Sequence, residues 1–403
     1  MEWLPLHVLS LMSGTSADGV DAVLANFFVE AGQLKWSVAA RSRLDYPPAL
    51  RERLLRAMRP TSGSVALITE LHAEIGQVYA ALAGKVCDAF PVDLVSLSGQ
   101  TIFHIPRIDQ EQGFAVKSTL QLGEAAWVLE RCRVPVICDF RQSDLAAGGE
   151  GAPLVAFGDL HLYHKPTWAR AIHNIGGISN VTYLPTDGDS SRVLAFDTGP
   201  GNCLLDEAAQ RFFGLAFDCD GALAECGTIN TALLSTWLQH PYLQLPPPKS
   251  TGREIFCLEQ ILRLAPSVDC ANYDLMATLT AFTAASIAAS YREYILPYGL
   301  DEVLVAGGGA YNLTLMQALR QCMPVPVCTF EERGMIARDR EALAFGVMAY
   351  YAFHGRENTL PSVTGAAHPV VAGKMLLPTP GRGSGTTCFR QSYRQFADRL
   401  LLP

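Results

Sequence analysis

A chain of 403 residues, 49% apolar and 17% charged, is long enough for two to three domains and too apolar for a disordered regulator. Its 39 acidic and 31 basic residues leave a net charge of −8, which excludes the basic footprint that a nucleic-acid backbone requires. The same excess steers no anionic substrate, so any phosphate site has to be local, built from backbone N–H groups and a few cations.

Eleven cysteines without a CxxC pair argue against zinc or redox chemistry and for a reduced, cytoplasmic setting. The N-terminus lacks the basic region of a signal peptide. The longest apolar candidate, Leu275 to Ser290, covers only 16 residues and is broken by Thr and Ser, so it reads as a buried helix and not as a membrane span.

In chain order, Leu6 to Met12 is an apolar run ending in Ser13-Gly14, and Ala22 to Val29 and Leu34 to Ala40 follow as strand-like runs. This predicts a three-stranded meander. From Val65, apolar residues at Ile68, Leu71, Ile75, Val78, Tyr79, Leu82 and Val86 share one face at helical spacing, which predicts a helix. Asp93 to Leu97 reads as a short strand entering a turn at Ser98-Gly99-Gln100-Thr101, and Val134 to Cys138 as another entering Asp139-Phe140-Arg141.

The pattern then restarts. Ala171 to Asn174, Val181 to Leu184 and Val193 to Phe196 read as a second meander, with Gly176-Gly177 in its first hairpin and Asp197-Thr198-Gly199-Pro200-Gly201-Asn202 after its last strand. Glu302 to Ala306 is an apolar strand entering Gly307-Gly308-Gly309. Strands alternating with helices in both halves predict an α/β protein of two similar lobes with a ligand cleft. Thr379 to Pro403, opening on a Gly/Ser/Thr-rich stretch, reads as a C-terminal appendage.

Three Gly-rich turns at strand ends carry the chemistry. Ser13-Gly14-Thr15-Ser16-Ala17-Asp18-Gly19-Val20-Asp21 combines small residues that let N–H groups approach an anion, hydroxyls that donate to phosphate oxygens, and carboxylates able to hold magnesium through water. The same residues also suit a tight hairpin of ordinary turn formers. Asn174 to Asn180 offers similar chemistry in the second half, and Gly307 to Gly309 admits a nucleotide against the backbone. None of the three fits a P-loop or a Rossmann fingerprint.

At these residues the sequence resembles the anhydro-N-acetylmuramic acid kinases of the sugar kinase and actin superfamily. The matching segments are MSGTSADGVD (12–21), SGQTIFH (98–104), DFRQSDLAAGGEGAPL (139–154), NIGGISN (174–180), DTGPGN (197–202), PPPKSTGRE (246–254), GGGAYN (307–312), EALAFG (341–346) and PSVTGA (361–366). The resemblance covers residues 6 to about 378 and implies two RNase H-like lobes of the sugar kinase/actin ATPase fold with a central cleft. Lobe I spans 1–135 and is completed by about 345–378, lobe II spans 136–344, and 379–403 is the appendage.

The resemblance further implies an ATP- and magnesium-dependent kinase that opens the 1,6-anhydro bridge of its sugar with water while phosphorylating the 6-oxygen, acting as a cytoplasmic homodimer without nucleic-acid or membrane partners. By this resemblance Asp197 is the general base. Ser13, Gly14, Thr15, Ser16, Asp18, Gly19, Asp21, Gly176, Gly177, Gly307, Gly308, Gly309 and Asn312 bind ATP, with Asp18 the magnesium candidate. Gln100, Thr101, Arg141 and Glu341 meet the sugar.

For Asp197 and Glu341 the plain structural alternatives are a turn cap and a first-turn helix carboxylate. Lys249 reads as either a phosphate contact or a surface-loop lysine, and His104 as a candidate lining the sugar pocket. His161 and His164 have i, i+3 spacing but no recognisable third metal ligand, and Asp139 and Asp144 flank Arg141 as an ion-paired turn.

The chain departs from the family at Ser98, where members carry His, at Gln142 and Ser143, where they carry a basic run, and at Glu150, where they carry Gln. Fewer cations and one more carboxylate suit a lactyl carboxylate poorly and keep levoglucosan, an uncharged anhydro-glucose, as the alternative substrate. An actin- or chaperone-like ATPase is the alternative of a different class.

Overall fold

The computed structural model describes residues 3–110, 113–265 and 270–379. Its chain forms two compact units, Met1–Leu162 with Asp339–Pro403 and Tyr163–Arg338. In chain order the strands are β1 (Leu6–Ser13), β2 (Gly19–Glu30), β3 (Gln33–Asp45), β4 (Leu94–Ile105), β5 (Ser118–Leu122), β6 (Val136–Cys138), β7 (Arg170–Ile175), β8 (Ile178–Leu184), β9 (Leu194–Pro200), β10 (Glu302–Ala306), β11 (Val327–Thr329) and β12 (Lys374–Leu376).

The sheet of the first unit runs β12-β6-β4-β1-β2-β3, with β5 paired to β4. β1 to β3 form the expected antiparallel meander, and β4 and β6 add parallel strands beside β1. β1, which is buried almost throughout, is central, whereas β3 alternates exposed and half-buried positions as an edge strand should.

The predicted helix spans Val65–Ala89 and starts at Ser64, whose hydroxyl accepts the Leu67 N–H at 3.2 Å. Its buried stripe of Leu67, Leu71, Ile75, Tyr79, Leu82 and Val86 joins Leu9, Leu11, Val95 and Leu97 in one core. Each fully buried leucine there contributes about 1.5–3 kcal/mol. The helix Asp339–Phe353 also packs within this unit, where the Ser96 hydroxyl donates to the Phe345 carbonyl at 2.8 Å.

The second unit repeats the plan. Its sheet runs β11-β10-β7-β8-β9, an antiparallel meander with two parallel strands beside its first member. Placed in the order β3-β2-β1-β4-β6 and β9-β8-β7-β10-β11, the two sheets have the same topology, that of an RNase H-like unit. The run expected to be a buried helix is the centre of the helix Asn272–Tyr294, which is buried on most sides because its Ala, Thr and Ser residues pack closely.

Two expectations are corrected. Ser98 to Thr101 is not a turn: β4 continues to Ile105, because Gly99 takes a positive φ of 75° and a bulge between Thr101 and Phe103 lets the strand bend and pair with β5. The first unit also extends past the expected boundary at residue 135, because β6 and β12 both hydrogen-bond into its sheet, and it resumes at Asp339 and not near 345. Of the expected appendage, all but Thr379 lies outside the described residues. No helix among the described residues is long and apolar enough to cross a membrane.

Candidate active site

In the first unit, the loop between β1 and β2 carries the first Gly-rich motif. Gly14, Thr15, Ser16 and Asp18 are open to solvent to differing degrees, and the Gly14 carbonyl accepts the Ala17 N–H at 3.2 Å. Gly19 is required by packing, because a Cβ there would lie 2.6 Å from the Leu44 carbonyl oxygen. The Ser13 hydroxyl is committed inward, 2.9 Å from both the Tyr46 and Tyr79 hydroxyls, so only its backbone faces the loop.

Arg43, on the neighbouring β3, gathers the carboxylates. Its guanidinium contacts Asp21 at 3.0 Å, Asp18 at 3.2 Å and Asp45. Burial raises the Asp18 pKa, but the Ser16 hydroxyl at 3.0 Å and the Arg43 charge outweigh it and hold the group below the usual carboxylate range. Asp21 is thereby a partner of Arg43 across the β2–β3 pair. No sequence motif announced Arg43, because only the β2–β3 pairing, with Asp21 opposite Arg43, brings it to the loop.

Next to this loop, the buried Gln100 donates from Nε2 to the Gly14 carbonyl at 2.9 Å while its Oε1 has no partner. Thr101 accepts from Gln121 Nε2 at 3.2 Å. Arg141 donates to the Gly151 carbonyl at 2.8 Å, and burial lowers its pKa against the charges of Glu341 and Asp144. Burial likewise raises Glu341, opposed by Arg340 and Arg141. Glu341 stands in the first turn of the helix Asp339–Phe353. His104 is pushed by burial and by the Arg141 charge to about 4, a neutral imidazole.

Several flanking residues have partners that sequence did not reveal. Asp139 pairs with Lys374, while Asp144 accepts the Gly151 N–H at 2.8 Å and the Thr364 hydroxyl at 2.7 Å, so the expected Asp139–Arg141–Asp144 ion-paired turn is replaced by separate contacts. Glu150 is met by Arg107 at 2.7 Å, and Gln142 donates to the Thr119 carbonyl at 3.1 Å. His161 lies 3.1 Å from the Tyr351 hydroxyl and His164 3.1 Å from the Thr186 carbonyl, so the two rings serve different partners.

In the second unit three Gly-rich segments converge. The Gly177 carbonyl accepts the N–H groups of Gly201 at 2.9 Å and Cys203 at 3.0 Å, and the Gly176 carbonyl accepts that of Asn202 at 2.7 Å. This fastens the β7–β8 hairpin to the segment after β9. Gly307, with φ of 85°, leaves no room for a side chain, since its Cβ would lie 2.6 Å from the Ile175 carbonyl oxygen. Gly309 packs on Ile175 and Gly308 faces Asn202.

Beside them is a cavity of about 490 Å³ lined by Asn202, Asp206, Phe217, Gly308, Tyr311 and Asn312, among others. The Asn312 side chain caps the helix Leu313–Cys322 at the Leu315 N–H, 2.9 Å away. Sequence reasoning missed Arg253, whose guanidinium lies over Gly177, and Asp206, which burial raises to about 6. The signal for Arg253 was present in the PPPKSTGRE segment.

Asp197 lies near the end of β9. Its Oδ2 accepts the Thr251 N–H at 2.9 Å, its own N–H donates to the Lys249 carbonyl at 3.1 Å, and its carbonyl accepts the Tyr242 hydroxyl at 2.8 Å. Burial raises it to about 6, with the Thr251 N–H and the Lys249 charge pulling down and Glu254 pushing up. The Thr251 hydroxyl is buried without a partner. Asp197 is thus no self-capping turn residue but a carboxylate held from a separate loop. Lys249 is not a surface lysine either, being 5% exposed.

A profile of the family described as anhydro-N-acetylmuramic acid kinase matches residues 6–378. The chain is 39% identical to the anhydro-N-acetylmuramic acid kinase of Caldanaerobacter subterraneus, over 92% of this chain and 96% of that one. With the protein of the same name from Salinibacter ruber it is 40% identical, over 93% and 96%. Among solved structures, an activator of a 2-hydroxyisocaproyl-CoA dehydratase from Clostridium difficile with bound ADPNP matches with a TM-score of 0.41 at 13% identity, covering 86% of this chain and 94% of that one. With matches that span nearly the whole of both sequences, the chain belongs to the anhydro-N-acetylmuramic acid kinase family.

Proposed function

We propose that this chain uses ATP to convert 1,6-anhydro-N-acetylmuramic acid and water into N-acetylmuramic acid 6-phosphate and ADP. Water attacks the anomeric carbon, the bond from that carbon to the 6-oxygen breaks, and the freed oxygen takes the γ-phosphoryl group of ATP. Asp197 takes the proton from the water. The departing oxygen is trapped as a phosphate ester, so the protein has to supply one aimed base but no acid for it.

The observation that carries the reading is the Asp197 carboxylate itself, enclosed, held by the Thr251 N–H and raised by burial to about 6. A base of that strength is mostly ionised at neutral pH and still accepts a proton readily.

For the sugar, the first unit supplies the free Oε1 of Gln100, with Thr101, Arg141 and Glu341, a set of donors and acceptors suited to hydroxyls and a carboxylate. The Glu150–Arg107 pair offsets the extra carboxylate that weighed against an anionic sugar. The curated relatives are named for the amino sugar, which favours it over levoglucosan.

For ATP, phosphoryl transfer asks mainly for alignment and charge. In the first unit Gly14, Thr15, Ser16 and Gly19 are the proposed phosphate contacts. In the second unit they are Gly176, Gly177 and Arg253, and the cavity beside Gly307, Gly308, Gly309 and Asn312 takes the nucleoside. Asp18, ionised and half exposed, fits a hydrated magnesium ion, which when bound neutralises charge on the triphosphate. The proposed setting is a cytoplasmic homodimer.

The test is ADP release with and without 1,6-anhydro-N-acetylmuramic acid. Asp197→Asn is expected to lose about 10²–10⁴-fold of sugar-dependent turnover while keeping ATP affinity. Retained turnover excludes Asp197 as the base, and ATP hydrolysis indifferent to the sugar identifies an assembly-type ATPase instead.

A further inference from the structure

Lys249 is a buried cation for which the reaction above has no use. Its Nζ lies 3.5 Å from the Tyr242 carbonyl and 3.4 Å from the Leu243 carbonyl, and 5.0 and 5.4 Å from the ring centres of Tyr242 and Tyr294. Two neutral acceptors and two π faces solvate the ammonium. Among the described residues no carboxylate is in ion-pair contact with it, and the charge that acts on it is that of Asp197. The same loop holds Asp197 mechanically, because the Lys249 carbonyl and the Thr251 N–H both bind it, at 3.1 and 2.9 Å, and Tyr242 beneath the ammonium donates to its carbonyl at 2.8 Å.

We propose that Lys249 is a positioning residue for the reaction, a caged ammonium whose field keeps the Asp197 carboxylate ionised while its loop fixes the direction of that carboxylate. This rests on the assignment of Asp197 as the base.

Two groups favour the ionised carboxylate, the Thr251 N–H and Lys249, and of these Lys249 brings the positive charge. Glu254 is the other charge acting on Asp197, and it opposes ionisation. Asn180 lies opposite Asp197 on β8, and the helix Asn272–Tyr294 brings Ser286 beside Gly199 and Ser290 to the Thr198 carbonyl, all uncharged groups. Tyr294 stays protonated, since burial raises its pKa. Burial lowers Lys249 itself to about 8, so it remains charged at neutral pH. A positive charge nearby favours the ionised form of a carboxylate and so lowers its pKa. Removing it therefore raises Asp197 further above about 6, and the base is lost at a higher pH.

The experiment is the pH profile of kcat/KM for sugar-dependent ADP release in Lys249→Met, Lys249→Gln and Lys249→Arg, with Asp197→Asn alongside. The acid limb is expected to move up by about one pH unit in the Met and Gln variants and to stay near wild type in Arg. The deficit is then about ten-fold near pH 5.5 and narrows toward pH 8. If Met does not fold, Gln, which keeps an uncharged donor in the cage, gives the same answer. An unshifted limb, or a loss equal at every pH, overturns the proposal, because that is what a purely structural lysine produces. Full turnover in Asp197→Asn refutes the base assignment itself. A dead Asp197→Asn with an unshifted Lys249→Met limb refutes only the coupling.

Discussion

At Asp197 function and stability pull in opposite directions. Folding raises its carboxyl from 3.8 to about 6, so the folded state holds the proton more tightly than the unfolded chain does. The stability this contributes is full below about pH 4 and is lost as the pH rises through about 6. At pH 7 the ionised carboxylate is therefore a destabilising group, and Asp197→Asn, whose amide oxygen still accepts the Thr251 N–H, is expected to be more stable by about 1–3 kcal/mol. Thermal melts of the two proteins at pH 7 and pH 4.5 check this: the difference should shrink at the lower pH. In the wild type, kcat/KM should fall about ten-fold per pH unit below about 6, the limb that reports the free enzyme's base. The position of Asp197 at a strand end next to Gly199 and Gly201 was legible in sequence. Its partners were not, because Tyr242 and Tyr294 reach the cage of Lys249 from segments that no local pattern ties to PPPKSTGRE.

The secondary elements show the same division. Periodicity located the two meanders and the helix Val65–Ala89, since those signals are local. The length of β4 escaped it, because a Gly-bearing polar run looks like a turn until β5 arrives to pair with it. The helix Asp339–Phe353 is likewise fixed by distant chemistry. Arg340, 3% exposed, forms a bidentate pair with Asp159, 0% exposed, on the helix Val155–Tyr163. Removing one member leaves a buried charge without its partner, so Arg340→Met should destabilise this unit by about 3–5 kcal/mol in urea unfolding. Arg340→Met combined with Asp159→Leu should recover most of that loss, since a buried pair is often replaceable by apolar residues. Recovery of nothing would mean that the two helices depend on other contacts.

On the scale of the whole molecule, two sheets of one topology account for the restart that the sequence showed near residue 171. The family match ends at residue 378, so a chain shortened to residues 1–379 should keep sugar-dependent ADP release close to the full-length rate. A large loss in that assay would give the last residues a part in turnover. The repeated plan also hides an asymmetry. The second unit is one continuous stretch, Tyr163–Arg338, whereas the first is interrupted and resumes at Asp339. On the ribosome the strands β1 to β6 are made early, but the helix that covers Ser96 and supplies Arg340 to Asp159 emerges only after the whole second unit, a delay of about 10–35 s at ordinary rates of synthesis. During that interval the apolar surface around Ser10, Phe27 and Ser96 waits without its cover. The later unit is then the first able to complete its core, and the period of greatest exposure to aggregation falls on the half of the protein that was synthesised first.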